Sequence, residues 1–290
     1  MKTQADKLKR IVDGEVADQE IKTKIIAVTS GKGGVGKSTL SANMANILSK
    51  QGYRVAVFDA DIGLANLDII FNVKATKNLL NVLKGECTLS EIVIEVKENL
   101  LLIPGESGDE IFDFHNQIIL DRFMEEASFL DSLDYLIIDT GAGIGRHIQL
   151  FLEEADEVII ITTPDPSAIT DAYATIKVTS NINTHVNLIL NHVSNEREGN
   201  LIFNKIKNVA DNNLNSSLEL TYLGSLTRDE TISKSSKYRV LFTQEYPNSV
   251  STYELNEIIQ NLVYKLEHKV LNSQVRKSFA VFVRRLIEKF

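Results

Sequence analysis

The chain contains a glycine-rich segment whose spacing restricts the folds open to it. Residues 31–39 read GKGGVGKST and satisfy the phosphate-binding pattern G-x-x-x-x-G-K-[ST] in full. An apolar run at residues 25–28 precedes this segment, and apolar residues at helical spacing follow it as far as Gly52. The sequence therefore predicts the strand, the loop and the helix that a phosphate-binding loop needs.

The residue types in this loop suit a nucleoside triphosphate and a magnesium ion. Glycines let backbone N–H groups turn toward a phosphate, and the positive end of the next helix favours the same anion. Lys37 is placed to reach the β- and γ-phosphates, Ser38 to ligate Mg²⁺ and Thr39 to bond the α-phosphate. A turn that only joined a strand to a helix would need none of the three. The predicted nucleotide-binding residues of the loop are Gly31, Lys32, Gly33, Gly34, Val35, Gly36, Lys37, Ser38 and Thr39.

Apolar runs separated by helical segments predict an α/β fold, with a mostly parallel twisted sheet and helices on both faces. The runs are continuous rather than alternating, as in strands that are buried on both sides. The predicted strands are residues 25–28, 55–58, 100–103, 135–138, 158–161 and 186–190, with a weaker one near 220–223. The predicted helices include residues 114–129, 167–180 and 201–211.

Carboxylates follow two of these strands, at the sheet edge where ligands collect in such folds. Asp139 is predicted to hold Mg²⁺ together with Ser38, although an acidic residue after a strand can also serve only as a helix cap. We predict that Asp61 orients the attacking water and that Asp59 lies nearer the metal. Either aspartate could instead be a loop carboxylate that accepts backbone N–H groups.

Asn191 ends the strand predicted at residues 186–190 and is the candidate for base recognition. Its amide can pair with the N6 and N7 edge of adenine, and the alternative is a simple turn former. The single cysteine, Cys87, excludes a disulfide or a four-cysteine metal site within one chain and suggests a reducing, cytoplasmic compartment. No run of eighteen apolar residues occurs.

Composition suggests one large domain with terminal extensions. We predict an extension at residues 1–23, an ATPase domain at 24–272 and a basic amphipathic helix at 273–290. The net charge is −8, but residues 274–290 carry +4, which leaves −12 for the rest of the chain. An aromatic, basic helix of this kind is typical of a segment that lies in an anionic membrane surface, and docking on the protein's own body is the alternative. Its predicted membrane-facing residues are Phe279, Phe282, Val283, Leu286, Ile287 and Phe290.

Lys32 is a second lysine that an ordinary phosphate loop does not need. With it, the loop resembles the deviant Walker A ATPases, the group of MinD, ParA, the arsenite pump and the nitrogenase iron protein. The resemblance implies an ATP-dependent homodimer in which Lys32 reaches the phosphates of the partner subunit. The alternative is that Lys32 adds positive charge only to its own site.

Three further segments resemble the FlhG family of MinD-like regulators of flagellar number and placement. They read DADIGLANLD at residues 59–68, DTGAGI at 139–144 and TPDPSAITDAY at 163–173. The resemblance implies an ATP- and Mg²⁺-dependent switch that acts peripherally at the cell membrane with flagellar switch (C-ring) proteins. It also places Asp229 in the base pocket.

The N-terminal residues resemble the D-Q-A-x-x-L-R element with which FlhG proteins stimulate the GTPase FlhF. Gln4, Ala5 and Leu8 match this element. Thr3 replaces its aspartate and Lys9 replaces its arginine, and lysine lacks the planar fork of N–H donors that arginine has. A solvated N-terminus without a partner is the alternative.

Other classes of protein remain as alternatives. A MinD-type division-site ATPase shares most of these features. A ParA-type DNA-partitioning ATPase would bind DNA non-specifically, which the acidic body disfavours, so no specific nucleic acid is expected. An iron–sulfur carrier would need at least two cysteine ligands per subunit, and a ligase of the dethiobiotin synthetase type would need a second substrate pocket. We predict Lys32, Lys37, Asp61 and Asp139 as the catalytic group.

Overall fold

An eight-stranded sheet forms the centre of the molecule. The computed structural model describes residues 23–61, 66–105, 117–269 and 278–289. The strand order is β3-β4-β2-β5-β1-β6-β7-β8, and only β3 runs antiparallel to its neighbour. The strands are β1 (Lys24–Ser30), β2 (Val55–Ala60), β3 (Ile94–Lys97), β4 (Leu100–Ile103), β5 (Tyr135–Ala142), β6 (Glu157–Thr162), β7 (His185–Val193) and β8 (Glu219–Thr227).

Helices cover both faces of this sheet. In chain order they are α1 (Lys37–Lys50), α2 (Leu67–Phe71), α3 (Leu79–Leu83), α4 (Leu89–Ile92), α5 (Gln117–Glu126), α6 (Arg146–Glu154), α7 (Pro166–Thr179), α8 (Glu196–Asn213), α9 (Glu230–Tyr238), α10 (Phe242–Glu245), α11 (Val250–Lys269) and α12 (Phe279–Glu288). A 3₁₀ turn, Ala127–Leu130, follows α5. None of the described helices is long and apolar enough to cross a membrane.

The side chains of the sheet divide into two hydrophobic cores. Successive residues of β1, such as Ile25 and Ile26, point to opposite faces and join different clusters. One face packs against α1, α10 and α11, and the other against α6, α8 and α12. Because both faces are covered, the central strands contain almost only apolar residues, which confirms the predicted α/β class.

The predicted strands all occur, and most extend further toward the carboxyl edge of the sheet. The described part of the predicted helix at residues 114–129 corresponds to α5 and the 3₁₀ turn, and residues 114–116 lie outside the described residues. The helix predicted at 201–211 lies within the longer α8. The sequence did not predict β3, whose partly exposed residues lack a continuous apolar run.

The C-terminal helix α12 packs on the body of the protein. Its N-cap is Ser278, whose hydroxyl accepts a hydrogen bond from the N–H of Val281. The ring of Phe279 lies near Phe58 of β2, and the ring of Phe282 stacks on Phe151 of α6 with centroids 6.2 Å apart. The apolar stripe of α12 is therefore part of the sheet's hydrophobic core.

Ion pairs join the basic face of α12 to the end of α6. Arg285 Nη1 lies 3.2 Å from Glu154 Oε2, and Lys289 Nζ lies 2.8 Å from Glu153 Oε1 and 2.5 Å from Glu154 Oε1. Burial alone would raise the pKa of Glu154, but the hydrogen bonds from Lys289 and Arg285 outweigh it and lower that pKa.

The described side chains that were predicted to face a membrane are buried in the structure. Phe279, Phe282, Val283, Leu286 and Ile287 are at most 3% exposed, because they pack against α5, α6 and the 3₁₀ turn. Docking on the protein's own body, the alternative considered above, is what the structure shows. Phe290, like Gln4, Ala5 and Leu8 at the other terminus, lies outside the described residues.

Removing the ring of Phe282 should destabilise the protein. We expect Phe282→Ala to lower the free energy of unfolding by about 3 kcal/mol, because it leaves a cavity between α12 and α6. Urea denaturation measures this change. Phe129→Ala is the matched control, since Phe129 is 36% exposed and its loss should matter much less. Equal losses in the two variants would contradict the packing described for α12.

The ion pairs of Glu154 should stabilise the protein only when this carboxyl group is ionised. Because its pKa is lower in the folded state, the stabilisation is present above the unfolded-state pKa of about 4.3 and is lost as the pH falls through the folded-state pKa. We expect Glu154→Gln to cost about 1–2 kcal/mol at pH 7, with this difference from wild type shrinking at acid pH. Urea denaturation between pH 7 and pH 3 tests both statements. Glu153→Gln, at an exposed carboxylate, should have a smaller effect; a pH-independent Glu154 effect would contradict the assignment.

Candidate nucleotide-binding site

The loop between β1 and α1 forms one wall of a cleft of about 530 Å³ at the carboxyl edge of the sheet. Gly36 precedes α1 in a left-handed conformation, with φ 96°, that favours glycine. The first turn of α1 therefore points its N–H groups toward the cleft. The residues lining the cleft are Ser30, Gly33, Gly34, Gly36, Lys37, Ser38, Thr39, Asp61, Asn66, Ile70 and Ala142.

Two other loop residues that were predicted from the sequence pack against neighbouring elements. A Cβ atom at Gly31 would lie 2.3 Å from the backbone of Asp171, so only glycine lets the loop pass this close to α7. Val35 is buried, and its carbonyl points inward to Asn191. These two residues shape the loop and do not line the cleft.

Lys37 and Asp139 form the centre of the site. Parallel pairing of β1 with β5 sets Val28 opposite Asp139, which brings this carboxylate beside the loop. Lys37 Nζ lies 3.1 Å from Asp139 Oδ1, and the hydroxyl of Ser41 donates to the same oxygen at 2.9 Å. Among the described residues, Asp139 Oδ2 is buried and has no hydrogen-bond partner. This oxygen could accept a hydrogen bond from a water molecule that is bound to Mg²⁺.

Asp61 lies at the wall of the same cleft, as its predicted role requires. Its Oδ2 is 3.7 Å from Lys37 Nζ. Burial raises the pKa of Asp61, the charge of Lys37 partly opposes this, and Asp139 adds to the rise. The carboxylate remains partly exposed, at 21%, and it faces the space in which a water molecule can be held.

Asp59 lies opposite Asp139 in the register of β2 and β5, and its role near a metal stays a prediction. Its Oδ2 accepts hydrogen bonds from the N–H groups of Asn66 and Leu67, each at 3.1 Å, at the start of α2. Burial, more than the nearby Asp139, raises the pKa of Asp59 to about 6. In this arrangement Asp59 also positions the start of α2, as the loop-carboxylate alternative describes.

Lys32 faces away from the Lys37–Asp139 pair. Its ammonium group contacts Asp165 Oδ1 at 3.4 Å and the hydroxyl of Ser167, at the start of α7. The Ser167 hydroxyl, the Ala168 N–H and Lys32 together hold the pKa of Asp165 at about 2, so this carboxylate is ionised. The side chain of Lys32 is 43% exposed and lies at the rim of the site.

Asn191 supports the phosphate loop from beneath. Its Nδ2 donates to the carbonyl of Val35 at 2.8 Å, and its Oδ1 accepts from the N–H of His192 at 2.9 Å. A Cβ atom at Gly36 would lie 2.4 Å from this amide. The structure thus gives Asn191 a loop-positioning role that the sequence did not predict, and adenine recognition stays a prediction.

Asp229 has a structural role, and its expected base contact stays a prediction. It caps α9 by accepting from the N–H of Thr231 at 2.8 Å, and it accepts from the hydroxyl of Ser251 at 2.6 Å. Burial would raise the pKa of Asp229, but the bonds from Ser251 and Thr231 hold it at about 2. The aspartate therefore joins the start of α9 to the start of α11.

The structure brings Lys37, Ser38, Asp61 and Asp139 together around one cleft. It also adds Ser41, which sequence reasoning missed. Ser41 lies one helical turn after Lys37, a spacing that could have identified it as a neighbour of the same carboxylate. The donor set suits a Mg²⁺–nucleotide complex: Ser38 and Asp139 would hold the metal, and the loop and Lys37 the phosphates.

Comparison with known proteins gives the family of this chain. A family model described as "ParA: NUBPL iron-transfer P-loop NTPase" matches residues 21–263. The flagellum site-determining protein YlxH of Helicobacter pylori is 47% identical over 272 residues, which cover 93% of this chain and 92% of YlxH. The antiactivator FleN of Pseudomonas aeruginosa is 31% identical, with 91% of this chain and 94% of FleN covered.

Solved structures support the same fold. The septum site-determining protein MinD from Pyrococcus horikoshii, solved with Mg-ADP, superposes with a TM-score of 0.67 at 22% identity. The alignment covers 87% of this chain and all of the MinD chain. At this level of identity the likeness concerns the fold alone. Together with the sequence matches, it shows that the chain belongs to the MinD/ParA family of P-loop ATPases, in the FlhG branch that includes YlxH and FleN.

Proposed function

We propose that this ATPase is a dimerising switch that regulates flagellar number and placement. ATP would bring two copies together in a closed dimer, and this dimer would bind its partners. Hydrolysis of ATP would then open the dimer again. The observation that carries the dimer is the separation of the two loop lysines. Lys37 points to Asp139 within its own cleft, whereas Lys32 lies at the exposed rim.

Within one subunit, the described side chains supply most of what phosphoryl transfer needs. Lys37 and the loop N–H groups stabilise negative charge on the phosphates, and Asp61 holds and orients a water molecule. Asp139, fixed by Ser41, and Ser38 would hold Mg²⁺, which neutralises phosphate charge when bound. A further cation is expected in such sites, and Lys32 of a second copy would supply it.

The contact of Lys32 with Asp165 and Ser167 suits such an exchange of partners. Both contacts are at the surface, so breaking them costs little free energy. A triphosphate carries more negative charge than one carboxylate and would attract the ammonium group more strongly. Lys32 is thus held by a weak internal partner that a nucleotide on the second copy can replace.

Replacing Lys32 should separate dimer formation from nucleotide binding. We expect Lys32→Ala to bind ATP with near-normal affinity, to stay monomeric, and to lose at least tenfold in kcat because the additional cation is missing. Light scattering after size exclusion and steady-state ATPase assays measure these properties. Lys177→Ala, the same change at an exposed position of α7, is the control. A Lys32→Ala protein that hydrolyses ATP at the wild-type rate as a monomer would remove the dimer from the proposal.

The flagellar role is supported by the names of two relatives that align along most of the chain. One is called a flagellum site-determining protein and the other an antiactivator. We propose that the partners of this chain are the GTPase FlhF, through Gln4, Ala5 and Leu8, and flagellar switch proteins. Iron transfer, which the family description mentions, is not proposed, because Cys87 is the single cysteine. Counting flagella in cells that produce Lys32→Ala in place of the wild type tests the role.

Peripheral membrane association belongs to the same proposal. It requires α12 to detach from the body of the protein. Each of its five buried apolar side chains is worth roughly 1.5–3 kcal/mol of burial, so free α12 in water is strongly unfavourable. An anionic bilayer offers an equivalent apolar environment and also attracts Arg285 and Lys289. Two tails in a dimer would bind far better than one, since the second binds at high effective concentration.

ATP should increase the binding of this protein to anionic vesicles. We expect sedimentation with vesicles containing about 30% phosphatidylglycerol to be several-fold greater with ATP than with ADP, and to need the residues after Gln274. Neutral vesicles and a chain ending at Gln274 are the controls. Equal sedimentation of the truncated chain would refute the membrane role of α12.

A further inference from the structure

The loop between β5 and α6, residues 143–145, follows directly on the end of β5, where the strand contacts the carboxylate assigned to water orientation. It is tied to the phosphate loop, since the N–H of Gly143 donates to the carbonyl of Ser30 at 2.8 Å. At Gly141, the end of β5, a Cβ atom would lie 3.1 Å from Asp61 Oδ1, so strand and carboxylate are in close contact. Gly143 has φ 104°, a conformation that favours glycine. The loop therefore begins two residues after the glycine that contacts Asp61, and it connects that strand end to the phosphate loop.

A side chain of α6 holds the exposed part of this loop. Gln149 Nε2 donates to the carbonyl of Ile144 at 2.8 Å, and the N–H of Gln149 donates to the carbonyl of Gly145 at 3.1 Å. Ile144 is 46% exposed, so its own packing does little to fix the backbone. The side-chain amide of Gln149 therefore holds the backbone of the loop at Ile144.

Gln149 is presented by a rigid support. Its neighbours Ile148 and Leu150 are buried, and Phe151 packs against Phe58 of β2 and Phe282 of α12. The terminal methyl group of Ile148 also lies 3.7 Å from the position of a Cβ atom at Gly141. A side chain on such a helix keeps a fixed direction relative to the sheet, and hence relative to Asp61.

We propose that Gln149 is a positioning residue for ATP hydrolysis. Its amide fixes the position of the loop 143–145. The adjoining end of β5, which contacts Asp61, is then already ordered when Asp61 orients the water molecule. Catalysis by positioning is sensitive to such support, because a reacting group that must first be ordered reacts more slowly. The residue does not touch the phosphates and contributes little to nucleotide binding. The inference rests on the function proposed above for Asp61.

Kinetics of Gln149 variants test this assignment. Gln149→Met keeps the length of the side chain and removes the donor, and Gln149→Glu keeps its shape but, when ionised, cannot donate. We expect both to lower kcat about five- to tenfold while KM for ATP and the melting temperature stay at the wild-type values. Gln260→Met, at an exposed position of α11, is the matched control and should behave as wild type.

Hydrogen exchange provides a second measurement on the same proteins. The amides of residues 143–145 should exchange several-fold faster in Gln149→Met, with no change in β5 or in the core of α6. An unchanged kcat in Gln149→Met would overturn the proposal. So would a fall confined to Gln149→Glu, which would be an effect of charge, or a rise in KM at constant kcat.

Failure of this inference can be told apart from failure of the mechanism on which it rests. Asp61→Ala should abolish most turnover if the mechanism is right. Wild-type turnover in Asp61→Ala would overturn the mechanism and the inference together. Loss of turnover in Asp61→Ala with wild-type kcat in Gln149→Met would overturn only the role of Gln149.

Discussion

The contact between Lys37 and Asp139 is the interaction on which the site depends. Asp139 is fully buried, and an isolated charge there would be several kcal/mol too costly to keep. Lys37 and Ser41 supply the opposite charge and a hydrogen bond. Both come from the start of α1, so the loop, the helix and the register of β1 against β5 must all be correct for the carboxylate to be tolerated. The chemistry and the fold therefore constrain each other at one point.

Around this pair, several polar residues hold backbone in place and do not face the cleft. Asn191 supports the phosphate loop, Asp59 the start of α2, and Asp229 the starts of α9 and α11. Each lies at the carboxyl end of a strand, where helices and loops begin and where many N–H groups need acceptors. A preorganised site needs such supports, because the groups that bind the phosphates must already be in position before the phosphates arrive.

The sequence was sufficient for the sheet and for the central residues of the site. Continuous apolar runs identify buried parallel strands, and the loop motif places Lys37 and Ser38 by spacing alone. The short strand β3 was missed, because at an exposed edge it lacks that signal. Asp59, Asn191 and Asp229 were given ligand roles, because an acid or amide after a strand suits a ligand and a backbone N–H equally well. The structure shows the backbone contacts of all three residues, and their ligand roles stay predictions.

The same ambiguity applies to α12, whose apolar stripe suits either a bilayer or a protein core. Because α12 is docked, any membrane or protein surface that binds its apolar stripe must compete with the protein's own core. The affinity that such a surface displays is its intrinsic affinity multiplied by the fraction of molecules in which the helix is free. Every 1.4 kcal/mol of docking free energy lowers that fraction tenfold. Substitutions beneath the helix, at Phe151 or Glu154, would thus tune the apparent affinity without altering a single residue that the surface touches.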